Sequence, residues 1–105
     1  MPKRCIAIDF DGTLFEDNYP DVGPPIWRVI NAAKKEKESG SELILWTTRR
    51  GPSLNAAVHA CTSAGLEFDA INKSCQDWID YWGEDTRKVG ADEYWDDRSV
   101  NPRYL

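Results

Sequence analysis

At 105 residues, with 41% hydrophobic and 30% charged side chains, the chain suits one small soluble globular domain spanning 1–105. Its net charge of −5 excludes a general nucleic-acid or membrane-surface binder, either of which needs a basic face. No apolar run approaches the ~20 residues that cross a bilayer, the opening "MPKRCIAIDFDG" makes a poor signal peptide, and Cys5, Cys61 and Cys75 form neither a CxxC pair nor a disulfide framework. A reduced, cytoplasmic protein is expected.

Residues 4–10 read as a short strand with Ile6, Ala7 and Ile8 at its middle, closed by Asp9 and Asp11. Acidic residues are seldom buried unless paired or metal-bound, so this pair at a strand end needs a reason. "DNYPDVGPP" (17–25) is a loop rich in turn formers. A helix is predicted from Pro24 or Pro25, with Ile26, Val29, Ile30 and Ala33 facing inward, "KKEKE" in solvent and Gly40 ending it.

"ELILWTT" (42–48) has the continuous apolar character of a buried parallel strand. Ser53 is read as the cap of a second helix that turns Leu54, Ala57, Val58 and Cys61 inward and stops at Gly65. "LEFDAIN" (66–72) reads as a third strand. Trp78, Ile79 and Trp82 line a short helix ended by Gly83, and "DEYWDD" (92–97) completes the rhythm as a fourth strand. Trp27, Trp46 and Trp95 read as core, and His59 as a helix-surface residue. Such alternation implies an α/β domain with a parallel sheet. In these sheets ligands sit beyond the carboxyl ends of the strands. Asp9 with Asp11, Thr47 with Thr48, and Asp96 with Asp97 all stand at such ends.

Three chemistries compete for "DFDGT". A calcium loop of the EF-hand type needs Gly at its sixth position and Glu at its twelfth; counting from Asp9, those are Leu14 and Pro20. A surface Asx turn is the second reading. The third is catalytic: one carboxylate as nucleophile, another for proton transfer, and a hard divalent cation between them.

"IAIDFDGTLF", "LILWTT" ending in Thr47 and Thr48, Lys88, and the "DD" of "EYWDDR" resemble, in order, the motifs of the haloacid dehalogenase-like hydrolase superfamily. The resemblance covers nearly the whole chain. It implies a three-layer Rossmann-like sheet of strand order 3-2-1-4, with no cap domain because 16–25 and 73–87 are too short for one. It also implies Mg²⁺ held by Asp9, Asp96 and the Asp11 backbone carbonyl, with Asp97 as an outer carboxylate. Asp9 would attack phosphorus as a covalent nucleophile, and Asp11 would serve as general acid and base. Gly12 would let the backbone close around the phosphoryl group, Thr47 would hydrogen-bond it, and Lys88 would neutralise charge, with Lys73 as the alternative lysine. Two carboxylate-type charges 4 Å apart repel by ~4 kcal/mol at an effective dielectric of ~20, which the cation would cancel.

An Asp at position 11 belongs to the phosphatase and phosphotransferase branch, so C–Cl dehalogenation is not expected. The expected partner is a phosphorylated small molecule or macromolecule. An open, capless site implies either large substrates or a neighbouring copy of the chain acting as lid, with the 17–25 loop as the candidate flap. Thr48 and Arg49 join Gly12 as expected substrate contacts, Arg49 ahead of Arg50 because a guanidinium matches phosphate geometry; Arg98 is expected to pair with an active-site aspartate. Besides a phosphohydrolase, the residues admit a phosphotransferase, a receiver-like phosphorylation switch and a non-catalytic phosphate-binding module.

Overall fold

The structure, a computed structural model, describes residues 1–105. Four strands, β1 (Cys5–Ile8), β2 (Glu42–Leu45), β3 (Ala70–Ile71) and β4 (Glu93–Trp95), form one all-parallel sheet in the order β3-β2-β1-β4. Helices α1 (Trp27–Glu38), α2 (Gly51–Ser63) and α3 (Gln76–Trp82) make the crossovers, and a 3₁₀ turn spans Pro102–Tyr104. This is the α/β architecture and strand order expected from the sequence, with no inserted cap.

Every residue of β1 is buried, because the strand lies between β2 and β4 with both faces covered. Side chains alternate across a strand, so Ile6 and Ile8 join Leu43 and Leu45 on one face, against Ile30 and Ala33 of α1 and Ala57 and Cys61 of α2. Cys5, Ala7 and Ile44 point to the other face and meet Ala70, Cys75 and Val89. Burying one aliphatic side chain of this size contributes ~1.5–3 kcal/mol, so the Ile and Leu face carries most of the core.

Several boundaries differ from the sequence expectation, each for a local reason. Helix α1 begins at Trp27 because Pro24–Ile26 is spent on pairing. Glu16 N–H donates to Pro24 O and Ile26 N–H to Leu14 O, each at 2.8 Å, which closes the base of the 17–23 loop. Trp27 is a correction: it is 51% exposed at the start of α1, not core. Trp46 and Trp95 are half-buried. Strand β3 shortens to two residues because the Asp69 carboxylate takes the Leu43 N–H at 2.8 Å, and Asn72 turns the chain with φ 54°. Helix α3 ends as expected at Gly83, whose φ of 98° lets its N–H reach Ile79 O at 2.7 Å. No helix is long and apolar enough to cross a membrane.

Candidate active site

The carboxyl ends of β1 and β4 meet because their strands are neighbours. Asp9 N–H donates to Trp95 O at 2.8 Å, which sets the residue after β1 beside the last residue of β4. From there Asp9, Asp96 and Asp97 converge until one ligand oxygen of each lies within 4.8 Å of the others. Thr13, buried under this cluster, ties its two halves together. Its hydroxyl accepts the Asp97 N–H at 3.1 Å and donates to Asp9 Oδ2 at 3.4 Å. Thr13 went unassigned in the sequence, although its place directly after "DFDG" was the available signal.

Gly12 has φ +83°, and a Cβ there would stand 2.3 Å from Asp97 Oδ2. Only glycine permits both that backbone angle and the approach of the carboxylate. The role of Gly12 is therefore to seat Asp97 as well as to turn the chain.

Asp9, Asp11, Asp96, Asp97 and Thr48 line a depression of about 340 Å³, together with Asp17 and Tyr19 from the 17–23 loop and Arg98. Burial, then the charge of Asp96, pushes the Asp9 carboxyl up to about 7, against the opposing pull of the Phe10 N–H. None of Asp9, Asp96 or Asp97 has a Lys or Arg within ion-pair distance. Three crowded, unpaired carboxylates form an oxygen-only donor set that fits a hard divalent cation such as Mg²⁺.

The Asp11 carboxylate stands outside the triad, both its oxygens accepting from Arg49 at 2.8 and 2.7 Å; it is the Asp11 backbone carbonyl, not this carboxylate, that the resemblance offers to a metal. Three expectations are corrected. Arg49 is not a substrate contact: it is buried, and every guanidinium N–H already has a protein acceptor. Thr47 does not line the depression, because its hydroxyl accepts the Arg49 N–H at 3.1 Å; Thr48 is the threonine that faces it. Lys88 does not line it either. Its ammonium lies 5.3 Å from the centre of the Tyr94 ring, in a neighbouring depression that shares only Asp96, and it makes no ion pair.

Lys73 is exposed and also without an ion pair. Arg98 reverses its expected part. Its backbone N–H donates to Asp96 Oδ1 at 2.9 Å, but its guanidinium pairs with no aspartate and stays free at the depression. Arg50 and His59 are exposed, the latter on α2 as expected.

Fold and site together define a parallel α/β protein with an all-carboxylate cluster at the carboxyl edge of its sheet. No protein-family model and no curated protein matches the chain. A solved structure does: a conserved protein of Bacteroides thetaiotaomicron, with 38% sequence identity and a TM-score of 0.81 over 94% of this chain and 79% of that one. The chain belongs to the same family as that protein.

Proposed function

We propose that this protein is a Mg²⁺-dependent phosphohydrolase of the haloacid dehalogenase-like type, acting in the cytoplasm through an aspartyl-phosphate on Asp9. The observation that carries the reading is the Asp9, Asp96 and Asp97 triad, clustered with no cationic side chain of its own. The bound cation would screen the nucleophile from the phosphate dianion and polarise a phosphoryl oxygen.

The chain's own residues then do the following. Asp9, fixed by the β1–β4 contact, attacks phosphorus with one carboxylate oxygen as the bond from phosphorus to the ester oxygen breaks. Asp11 faces the same depression and delivers a proton to the departing oxygen; it then takes a proton from the water that cleaves the acyl phosphate, releasing phosphate and restoring Asp9. Thr48 donates a hydrogen bond to a phosphoryl oxygen, and Arg98, the one uncommitted cation at the depression, binds the substrate's remaining negative charge. Asp96 and Asp97 hold the cation, the latter seated by Gly12 and Thr13.

Phosphate release is to be measured over nucleotides, sugar phosphates, polynucleotide ends and phosphopeptides, with Mg²⁺ present and with Mg²⁺ chelated. Asp9→Asn is expected to remove turnover on whichever class is hydrolysed, and chelation to do the same. Wild-type rates in Asp9→Asn would sink the mechanism. A long-lived phospho-aspartate without release would instead favour a phosphorylation switch.

A further inference from the structure

We propose that Arg49 is the positioning residue of this site, aiming the Asp11 carboxylate into the depression and locking the 17–23 loop to it. The use made of Asp11 rests on the phosphohydrolase reading; the geometry that holds it does not.

Arg49 is only 3% exposed, and all five of its side-chain N–H groups are spent on three separate segments. Nε donates to Asp11 Oδ2 at 2.8 Å and Nη2 to Asp11 Oδ1 at 2.7 Å, a two-pronged pair. Nη2 also donates to Asp21 O at 2.6 Å, and Nη1 to Pro20 O at 3.0 Å and Ser53 O at 3.1 Å. Its guanidinium lies 4.8 Å from the centre of the Phe10 ring and 5.2 Å from that of Tyr19. The group therefore has neither a free donor for substrate nor room to move.

The fork uses one acceptor position on each Asp11 oxygen and leaves the other available. Because Asp11 also lines the depression, a proton carried at one of those free positions faces the departing substrate oxygen as a donor, and once given up the same position accepts from the attacking water. The same guanidinium holds the backbone at Pro20 and Asp21, beside Tyr19, which lines the depression too. Aim of the proton-transfer group and placement of the loop thus have a single mechanical origin. Lys could replace the charge but not the planar fork.

The test compares wild type, Arg49→Gln, Arg49→Lys, Asp11→Asn and the Arg49→Gln/Asp11→Asn double variant on two esters with Mg²⁺. p-Nitrophenyl phosphate has a leaving group that departs without a proton; an alkyl phosphomonoester does not. Leaving-group release is followed in a single turnover, before Asp11 is needed again to activate water. There Arg49→Gln should slow the alkyl ester by about 10²-fold, as expected for a displaced general acid. Loss on the nitrophenyl ester should stay within about tenfold, and the double variant should be no worse than Asp11→Asn. Arg49→Lys should fall between. In parallel, hydrogen exchange of residues 16–23 in the substrate-free protein should quicken about tenfold in Arg49→Gln and Arg49→Lys. Equal loss on both esters, an additive double variant, or unchanged exchange would each overturn the proposal. If the wild type hydrolyses neither ester, the phosphohydrolase reading fails on these substrates, and the exchange measurement alone decides the role of Arg49.

Discussion

Two small residues of the site, Gly12 and Thr13, hold charged ones in place. Gly12 is the sharpest case, with φ +83° and the Asp97 carboxylate over its α-carbon. Gly12→Ala is expected to cost at least about 1–3 kcal/mol from the backbone angle alone. It should also displace Asp97, so chemical denaturation should show lower stability and metal titration a weaker site. Arg98 bears on binding more than on chemistry, since its guanidinium pairs with no aspartate side chain. Arg98→Ala should raise KM by about tenfold with kcat little changed, the signature of lost uniform binding. A fall in kcat at constant KM would instead assign Arg98 to the transition state. At this scale the sequence was only partly legible. "DFDG" declared both Asp9 and the need for Gly12, whereas nothing local distinguishes Thr47 from Thr48 or a buried arginine from an exposed one.

Between elements, the join of β2 to α3 carries a second acidic contact, distinct from the active site. Glu42 opens β2 and has a buried Oε1 with no hydrogen-bond donor, while Asp77 stands in the first turn of α3. A proton shared with Asp77, then burial, then the charges of Asp77 and Asp69 push the Glu42 carboxyl from 4.5 up to about 7, while the same contact holds Asp77 below its ordinary value. A carboxyl raised in the folded state binds its proton more tightly there than when unfolded. Its stabilising effect is complete below 4.5 and disappears as pH rises through about 7. Asp77 acts in the opposite sense, lost only at more acid pH. Thermal melts across that interval should therefore show falling stability in the wild type and a flatter profile in Glu42→Gln, whose amide keeps a donor toward Asp77. Parallel profiles would remove the shared proton. Glu42 reads from sequence as the polar start of a strand, and its partner lies across the fold, out of reach of any pattern in the neighbouring residues.

For the whole molecule, the site concentrates Asp9, Asp11, Asp17, Asp96 and Asp97 around one depression, where Arg98 is the only cation in its lining. A ligand that binds the folded chain and not the unfolded one adds RT ln(1 + [L]/Kd), ~2.7 kcal/mol at about a hundred times Kd. Mg²⁺ should raise the melting temperature, and Asp96→Asn should diminish the rise. Equal melting with and without Mg²⁺, at concentrations that support turnover, would argue that the triad does not hold it. The architecture that produces this concentration was legible in outline. Alternating apolar runs and helix stripes announced a parallel α/β sheet, and β1 and β2 appeared where their continuous hydrophobicity put them. The pairing of 14–16 with 24–26 was not visible, because "PP" reads equally well as a helix start and as an extended stretch.

By itself, the sequence determined what short-range forces can encode: the strand ending in Asp9, the glycine turn after Asp11, the stop of α3 at Gly83, and the order of elements that brings strand ends to one edge. Tertiary structure decided everything that depends on which side chain meets which. Arg49 reaches Asp11 across 38 residues of chain, and Thr13 meets Asp97 across 84. Lys88 settles beside Tyr94 rather than beside the site, and the thiols of Cys5 and Cys75, 70 residues apart, come within 3.7 Å. Backbone conformation follows from the residue and its immediate neighbours. The direction of a side chain leaving a loop is set by the nearest available partner, and only the folded chain determines which partner that is.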